Sequence, residues 1–228
     1  MKLDHKRTVL VGLAFFSICA FWQMYDNIIP LILTHTFQLD ETVCGAIMAA
    51  DNVLALFLLP FFGALSDRTS TKIGRRMPFI LGGTAAAVIL MNLLPVFDNG
   101  YAATGETGKL ALFVVVLGLL LVAMGTYRSP AVALMPDVTP KPLRSRANAI
   151  INLMGAVGGI MYLAVTAALY PNSKTEGLAH VNYQPLFIVV SVLMAVSVIV
   201  LYFTTNEPKL AAAEKEYEAE HPEQQLVE

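Results

Sequence analysis

Three ionisable side chains stand inside long apolar stretches of this sequence: Asp26 in FWQMYDNIIPLIL, Asp51 in IMAADNVLALFLLP and Arg128 in GTYRSPAVALMPD. A charge at the middle of a bilayer costs about 2.5–3.5 kcal/mol on insertion scales, so each is a candidate for function. Two carboxylates in a partly dry site do not readily ionise together, because desolvation and mutual repulsion both oppose the second charge. One of them then keeps a proton near neutral pH, which is the property a proton carrier needs. Each aspartate is followed by an asparagine, Asn27 and Asn52, and Tyr25 and Trp22 lie one residue and one turn before Asp26. Asn148 and Asn152 sit one turn apart in a later apolar stretch. These groups suit either a polar ligand or a bond to a neighbouring helix, and the two aromatic rings suit packing equally well. Arg128, before Ser129 and Pro130, has three options: attracting a carboxylate in the membrane, pairing with Asp137, or snorkelling to one face.

Such groups need elements that cross lipid. Of the 228 residues, 56% are hydrophobic and only 14% charged, against roughly 25% charged for a soluble domain. A bilayer core takes about 20 apolar residues in a helix. Six stretches qualify, at roughly 8–34, 43–65, 77–97, 110–135, 147–170 and 185–205. The first is too long for the apolar core of a signal peptide and reads as a spanning helix. The expected fold is all-α: a polytopic membrane protein with a six-helix bundle over 1–206. The acidic segment 207–228 reads as a solvated cytoplasmic tail or the start of a linker.

Lys and Arg in short connections set orientation. Lys2, Lys6 and Arg7 precede the first span. Arg68, Lys72, Arg75 and Arg76 follow the second, and Lys141, Arg144 and Arg146 follow the fourth. The alternate connections hold none, Lys109 alone, and Lys174 alone. This alternation puts both termini in the cytoplasm. At a rise of 1.5 Å per residue, Asp26 lies roughly 27 Å and Asp51 roughly 22 Å from the cytoplasmic ends of their helices, with Arg128 only about 12 Å up. The two carboxylates are therefore near one level.

Cys19 and Cys44 fit no metal or redox spacing and read as packing residues. His5, His35, His180 and His221 all fall outside the spans, and no Ser–His, Cys–His or metal-ligand cluster appears. An enzyme, a metal centre, a cofactor and a nucleic-acid partner are not expected. Gly155 and Gly159 form a small-xxx-small pair with Gly158 beside them, a helix-packing face in lipid.

The connection GALSDRTSTKIGRR, with Gly63, Asp67, Arg68, Gly74, Arg75 and Arg76, resembles the signature loop between helices 2 and 3 of the major facilitator superfamily. Its lengthened form, followed by MPFILGG, resembles the glycoside–pentoside–hexuronide cation symporters and the sucrose/proton symporters. The stretch SPAVALMPDVTPKPLRSRANAIINLMGAVGGIM is similar to a second stretch of the sucrose carriers. The resemblance implies that Asp67 and its arginines, with Asp137 and Arg144, latch one state of a rocking carrier. Charge-assisted hydrogen bonds and a facing helix N-terminus give that latch a physical basis. Setting topology alone is the plainer role for the same residues. The sequence departs from the family in places. Acidic positions of sodium-coupled relatives fall at Ala55 and Leu59, the sucrose-carrier arginine falls at Val132, and a helix-4 aspartate falls near Leu121.

The resemblance implies one six-helix half of a two-half carrier with substrate between the halves. The expected function is proton-coupled symport of a sugar or glycoside by alternating access, in the plasma membrane. Trp22 and Tyr25 would face the sugar ring, and carboxylate and amide groups would take its hydroxyls. Expected partners are membrane lipid, the sugar, a proton and a second six-helix half. The alternatives are a half-size carrier acting as a dimer on another small solute, and a non-transporting receptor or scaffold.

Overall fold

The computed structural model describes residues 3–220, so Lys2, His221 and the rest of the tail's last eight residues lie outside the described residues. Eight helices follow in chain order: α1 (His5–Leu31), α2 (Glu41–Arg68), α3 (Met77–Thr104), α4 (Thr107–Asp137), α5 (Arg144–Leu169), α6 (Asn172–Thr175), α7 (Gln184–Thr204) and α8 (Glu207–Glu220). A π-helical turn, Ile32–Thr36, extends α1, and a 3-10 turn, Lys141–Leu143, leads into α5. Six of these segments are long and apolar enough to cross a membrane: α1, α2, α3, α4, α5 and α7. The chain is a multi-pass membrane protein.

The starts of α1 and α2 are capped by aspartates. Asp4 accepts from the Arg7 N–H at 3.0 Å and Asp40 from the Thr42 N–H at 2.9 Å, each satisfying a donor that the helix leaves free. The Thr42 bonds hold the Asp40 carboxyl below its usual range.

The third helix outruns the apolar pattern. Residues 98–104 read as the start of a polar loop, yet α3 continues through them to Gly105. There a left-handed φ of 67° returns the Gly105 N–H to the Tyr101 carbonyl at 2.7 Å. Phe37 covers Tyr101, ring centres 4.7 Å apart, so the extra turns are held by packing rather than by local hydrophobicity.

The core lies among α1, α3, α4 and α7. Helix α1 packs along α5 and α7, α3 along α4 and α7, and α2 along α4. Of the most apolar window, 61% is buried in α1 but only 6% in α2 and 22% in α5, so α2 and α5 flank the bundle. Their outer faces carry Val53, Leu56, Phe57 and Phe61 on one and Leu153, Ile160 and Leu163 on the other. The α1–α5 contact is a close backbone approach. A Cβ on Gly158 would overlap the Phe16 carbonyl, and one on Gly155 would press on Cys19 Sγ. The glycines of α5 at this seam are thus Gly155 and Gly158, and Gly12 faces Met154 from α1. Gly159 faces the flexible Gln23 side chain instead.

Candidate functional site

Proline shapes the part of α1 that carries the first acid. Pro30 has no N–H to offer the carbonyl four residues back, so the Asp26 carbonyl loses its helical donor. The π-helical turn begins two residues later. Asp26 is exposed on this segment and Asp51 is half-buried on α2. Tyr25, one residue before Asp26, turns its hydroxyl into the packed side of α1. That hydroxyl and the Trp22 Nε1–H are buried with no hydrogen-bond partner among the described residues. Phe21, Trp22 and Tyr25 form one aromatic cluster, with Trp22 set edge-on to each of the others at 5.3 Å.

The Arg128 guanidinium stands 5.5 Å from the centre of the Trp22 ring. That distance allows a cation–π contact. A cavity of about 20 Å³ lies between Trp22, Asp51, Gly125 and Arg128. It has room for one water. Beside it the Ser129 hydroxyl donates to the Leu59 carbonyl at 2.7 Å and ties α4 to α2 next to Pro60.

The amides behave differently. Asn52 donates to the Asp51 carboxylate through its backbone N–H at 2.6 Å and its side chain at 2.8 Å. Asn27 donates to the Gln23 carbonyl at 2.6 Å, and Asn152 to the Asn148 carbonyl at 2.8 Å. All four asparagines are exposed, as are Asp26 and Gln23. The structure thus gathers Trp22, Tyr25, Asp26, Asp51 and Arg128. It leaves Asn27, Asn52, Asn148 and Asn152 on outward faces, bonded to their own helices. Gln23, beside both Asn27 and α5, belongs with them and carries no signal in the sequence beyond its place in an apolar run.

At the other end of the bundle Arg76 is the hub. Its Nη2 donates to Asp67 Oδ1 at 2.5 Å, its Nε to Asp137 Oδ2 at 2.8 Å, and its Nη1 to Ser66 Oγ at 2.5 Å and the Gly63 carbonyl at 3.4 Å. Arg75 adds a 3.3 Å contact to Asp137. One guanidinium so ties the C-terminal ends of α2 and α4 to the N-terminal end of α3. Burial works against the Arg76 charge. The bond to and field of Asp137, followed by those of Asp67, outweigh it and push its pKa above the ordinary arginine value. Asp137 is therefore engaged by Arg75 and Arg76, and the Arg128–Asp137 pairing left open by the sequence does not form. Arg68 is exposed and makes no ion pair among the described residues. Arg144 donates to the Thr139 carbonyl at 2.9 Å and approaches Glu214 of α8 at 3.9 Å.

Sequence reasoning missed Glu207. This first residue of α8 is 2% exposed and accepts from the backbone N–H groups of Arg75 at 2.6 Å, Arg76 at 2.9 Å and Met77 at 2.9 Å. These are orphan donors at the α3 N-terminus, where the helix dipole also favours an anion. The role of Gly74 follows: its φ is +119°, and a Cβ there would overlap the Glu207 carboxylate. The only sequence signal was a glutamate beside a proline at the start of an acidic tail.

Glu207→Ala is expected to destabilise the chain by about 1.5–3 kcal/mol, the range for charge-assisted hydrogen bonds, and Glu207→Gln by less, because its amide oxygen still accepts. Thermal unfolding in detergent measures both. Equal midpoints for Glu207→Ala and the unsubstituted chain would show that these bonds do not hold the α3 N-terminus.

The family model of the Major Facilitator Superfamily matches residues 11–226. The chain is 28% identical to the sucrose transport protein SUC3 of Arabidopsis thaliana, over 88% of its own length and 37% of that protein's. It is 30% identical to the sucrose transport protein SUC4 of the same plant, over 71% and 34%. It is 26% identical to the putative glycoside/cation symporter YagG of Escherichia coli (strain K12), over 84% and 41%. The chain spans less than half the length of these relatives. No solved structure gives a significant match.

Proposed function

The chain belongs to the Major Facilitator Superfamily, and on that premise we propose that it forms the N-terminal half of a proton-coupled symporter for a sugar or glycoside. The observation that carries this reading is the open polar face within the spans. Asp26, Asn27, Asn52, Asn148 and Asn152 are all exposed on α1, α2 and α5. Carboxylate and amide groups do not face lipid tails cheaply, so such a face borders water or protein. A binding site for a sugar takes roughly 300 Å³ or more. The enclosed space beside Asp51 and Arg128 is about 20 Å³ and suits a single water. The sugar therefore sits against the open face, between this half and a second six-helix half.

In this mechanism Asp51 carries the transported proton, with the small cavity beside it holding a relay water, and Asp26 bonds a sugar hydroxyl on the open face. Trp22 and Tyr25 supply the aromatic wall, and Arg128, held over Trp22, is placed to attract a carboxylate as it loses its proton. The cluster around Arg76 holds the helix ends together in one access state and must loosen in the other. Both termini lie in the cytoplasm and the protein resides in the plasma membrane. The names of the sucrose and glycoside relatives support a sugar over other solutes, and the departures at Ala55 and Leu59 favour a proton over sodium.

The test is uptake of radiolabelled sucrose and β-glucosides by proteoliposomes holding the chain assembled with a second half. A pH gradient, acidic outside, is expected to drive saturable uptake that a protonophore collapses. Uptake driven only by a sodium gradient would overturn the coupling, and saturable uptake by a demonstrably monomeric preparation would overturn the need for a second half.

A further inference from the structure

The end of the bundle opposite Arg76 holds a second buried acid. Asp98, on α3, is 0% exposed, and neither carboxylate oxygen has a hydrogen bond of ordinary geometry among the described residues. An ionised carboxylate in such a place is costly unless a cation or a proton attends it. His180, in the connection between α6 and α7, brings its Nε2 to 3.8 Å from Asp98 Oδ2.

The surrounding bonds fix the imidazole hydrogens. Asn99 donates through its Nδ2 to Asn182 Oδ1 at 2.9 Å, which turns Asn99 Oδ1 toward the ring. His180 Nε2 lies 2.8 Å from that oxygen and must carry a hydrogen. The other ring nitrogen, Nδ1, is 3.3 Å from Thr36 Oγ1 on the π-helical turn. The same hydroxyl stands beside the Asp98 carboxylate. With neutral imidazole, the single Thr36 hydrogen faces two acceptors, Nδ1 and the carboxylate, and serves one of them. With imidazolium, Nδ1–H donates to Thr36 Oγ1 and the hydroxyl hydrogen is free for Asp98. One proton thus satisfies three groups on three separate segments.

Solvent reaches the His180 side of this arrangement, while Asp98 stays dry. Cavities of about 340 and 230 Å³ flank His180, both bordered by His35, Thr36 and Ala179. Other titratable groups nearby are few. His35 sits on the π-helical turn and Tyr101 on the next turn of α3. Tyr183 feels the Asp98 charge and lies against Tyr170, ring centres 5.3 Å apart and tilted by 47°. At the start of α4, Lys109 is bonded to the Gly100 carbonyl at 2.9 Å and lies 3.7 Å from Glu106. The one titratable side chain of α7, Tyr202, is at its far end.

We propose that Asp98, Thr36 and His180 form a proton-dependent latch that holds the 171–183 connection against the ends of α1 and α3. Protonated, the three groups satisfy one another and the connection stays down. As pH rises and the proton leaves, a bare carboxylate remains in a dry site, and the connection lifts to let water reach it. The latch is independent of the transport reading.

A nitroxide on Leu178→Cys, in a background of Cys19→Ser and Cys44→Ser, reports on the connection by electron paramagnetic resonance. Spectra at about pH 5.5 and about pH 8 bracket the titration of free imidazole. The label is expected to be immobilised at the lower pH, with a mobile fraction growing several-fold at the higher. His180→Gln, neutral at both, should give the mobile spectrum throughout. Asp98→Asn, which needs no cation, should give the immobilised spectrum throughout. A spectrum indifferent to pH in the unsubstituted chain, or a pH response retained in Asp98→Asn, overturns the proposal. Should Asp98→Asn fail to fold, a pH response retained in His180→Gln overturns it equally.

Discussion

Replacing Asp26 or Asp51 by asparagine is expected to abolish accumulation of sugar against a gradient in the assembled carrier. One proton moving down a gradient of one pH unit supplies about 1.36 kcal/mol and sustains at most about tenfold accumulation. A variant that cannot exchange that proton should settle near onefold. The two roles open to these carboxylates separate in one set of vesicle assays. If the substituted residue carries the proton, exchange of sugar between the two sides survives, because exchange does not require the empty carrier to release it. If the residue binds sugar, exchange falls as well and substrate affinity weakens. The structure sharpens the expectation: Asp51 borders the small cavity with Arg128, whereas Asp26 is exposed on the open face. Asp51→Asn should therefore be the variant that spares exchange, and Asp26→Asn the one that weakens affinity. Normal accumulation in both single variants and in the double variant would return the two acids to a structural role.

The second large effect is expected at Arg76. Its side chain is 6% exposed and serves Asp67, Asp137, Ser66 and the Gly63 carbonyl together. Without Arg76 the Asp137 carboxylate, 20% exposed, keeps only its 3.3 Å contact to Arg75, and losing charge-assisted hydrogen bonds of this kind costs about 1.5–3 kcal/mol. Arg76→Ala should lose that much stability. Arg76→Lys should recover only part of it, since an ammonium lacks the planar fork that reaches two carboxylates on different helices. Asp67 is 56% exposed. Water already screens its charge, so Asp67→Asn should cost about 1 kcal/mol or less. Its measurable effect should fall on the balance between access states, read as changed thiol accessibility at the helix ends around Arg76. Unfolding in graded denaturant gives the ordering, and a loss at Asp67→Asn equal to that at Arg76→Ala would displace Arg76 from the centre of the latch.

The six spans can be read along the chain, because a lipid core demands about 20 apolar residues per helix and the demand is written locally. Asp26, Asp51 and Arg128 were visible as charges in apolar runs without any contact map, whereas Asp98 was not, because α3 runs on past its apolar stretch. The signature loop was legible as a motif, but its internal roles were not. Arg68 and Arg76 read alike along the chain, and only packing buries one and leaves the other in solvent. The choice of Trp22 over Asp137 as the neighbour of Arg128 depended on how α1 and α4 cross. The remaining decisions came from residues distant in sequence. Glu207 meets the α3 N-terminus from about 130 positions away, and His180 meets Asp98 from about 80. Both acids sit in segments whose composition reads as polar loop or solvated tail, since local hydropathy measures how a residue would fare in water. Whether a carboxylate is dry depends on what is folded over it, and that is a property of the assembled helices alone.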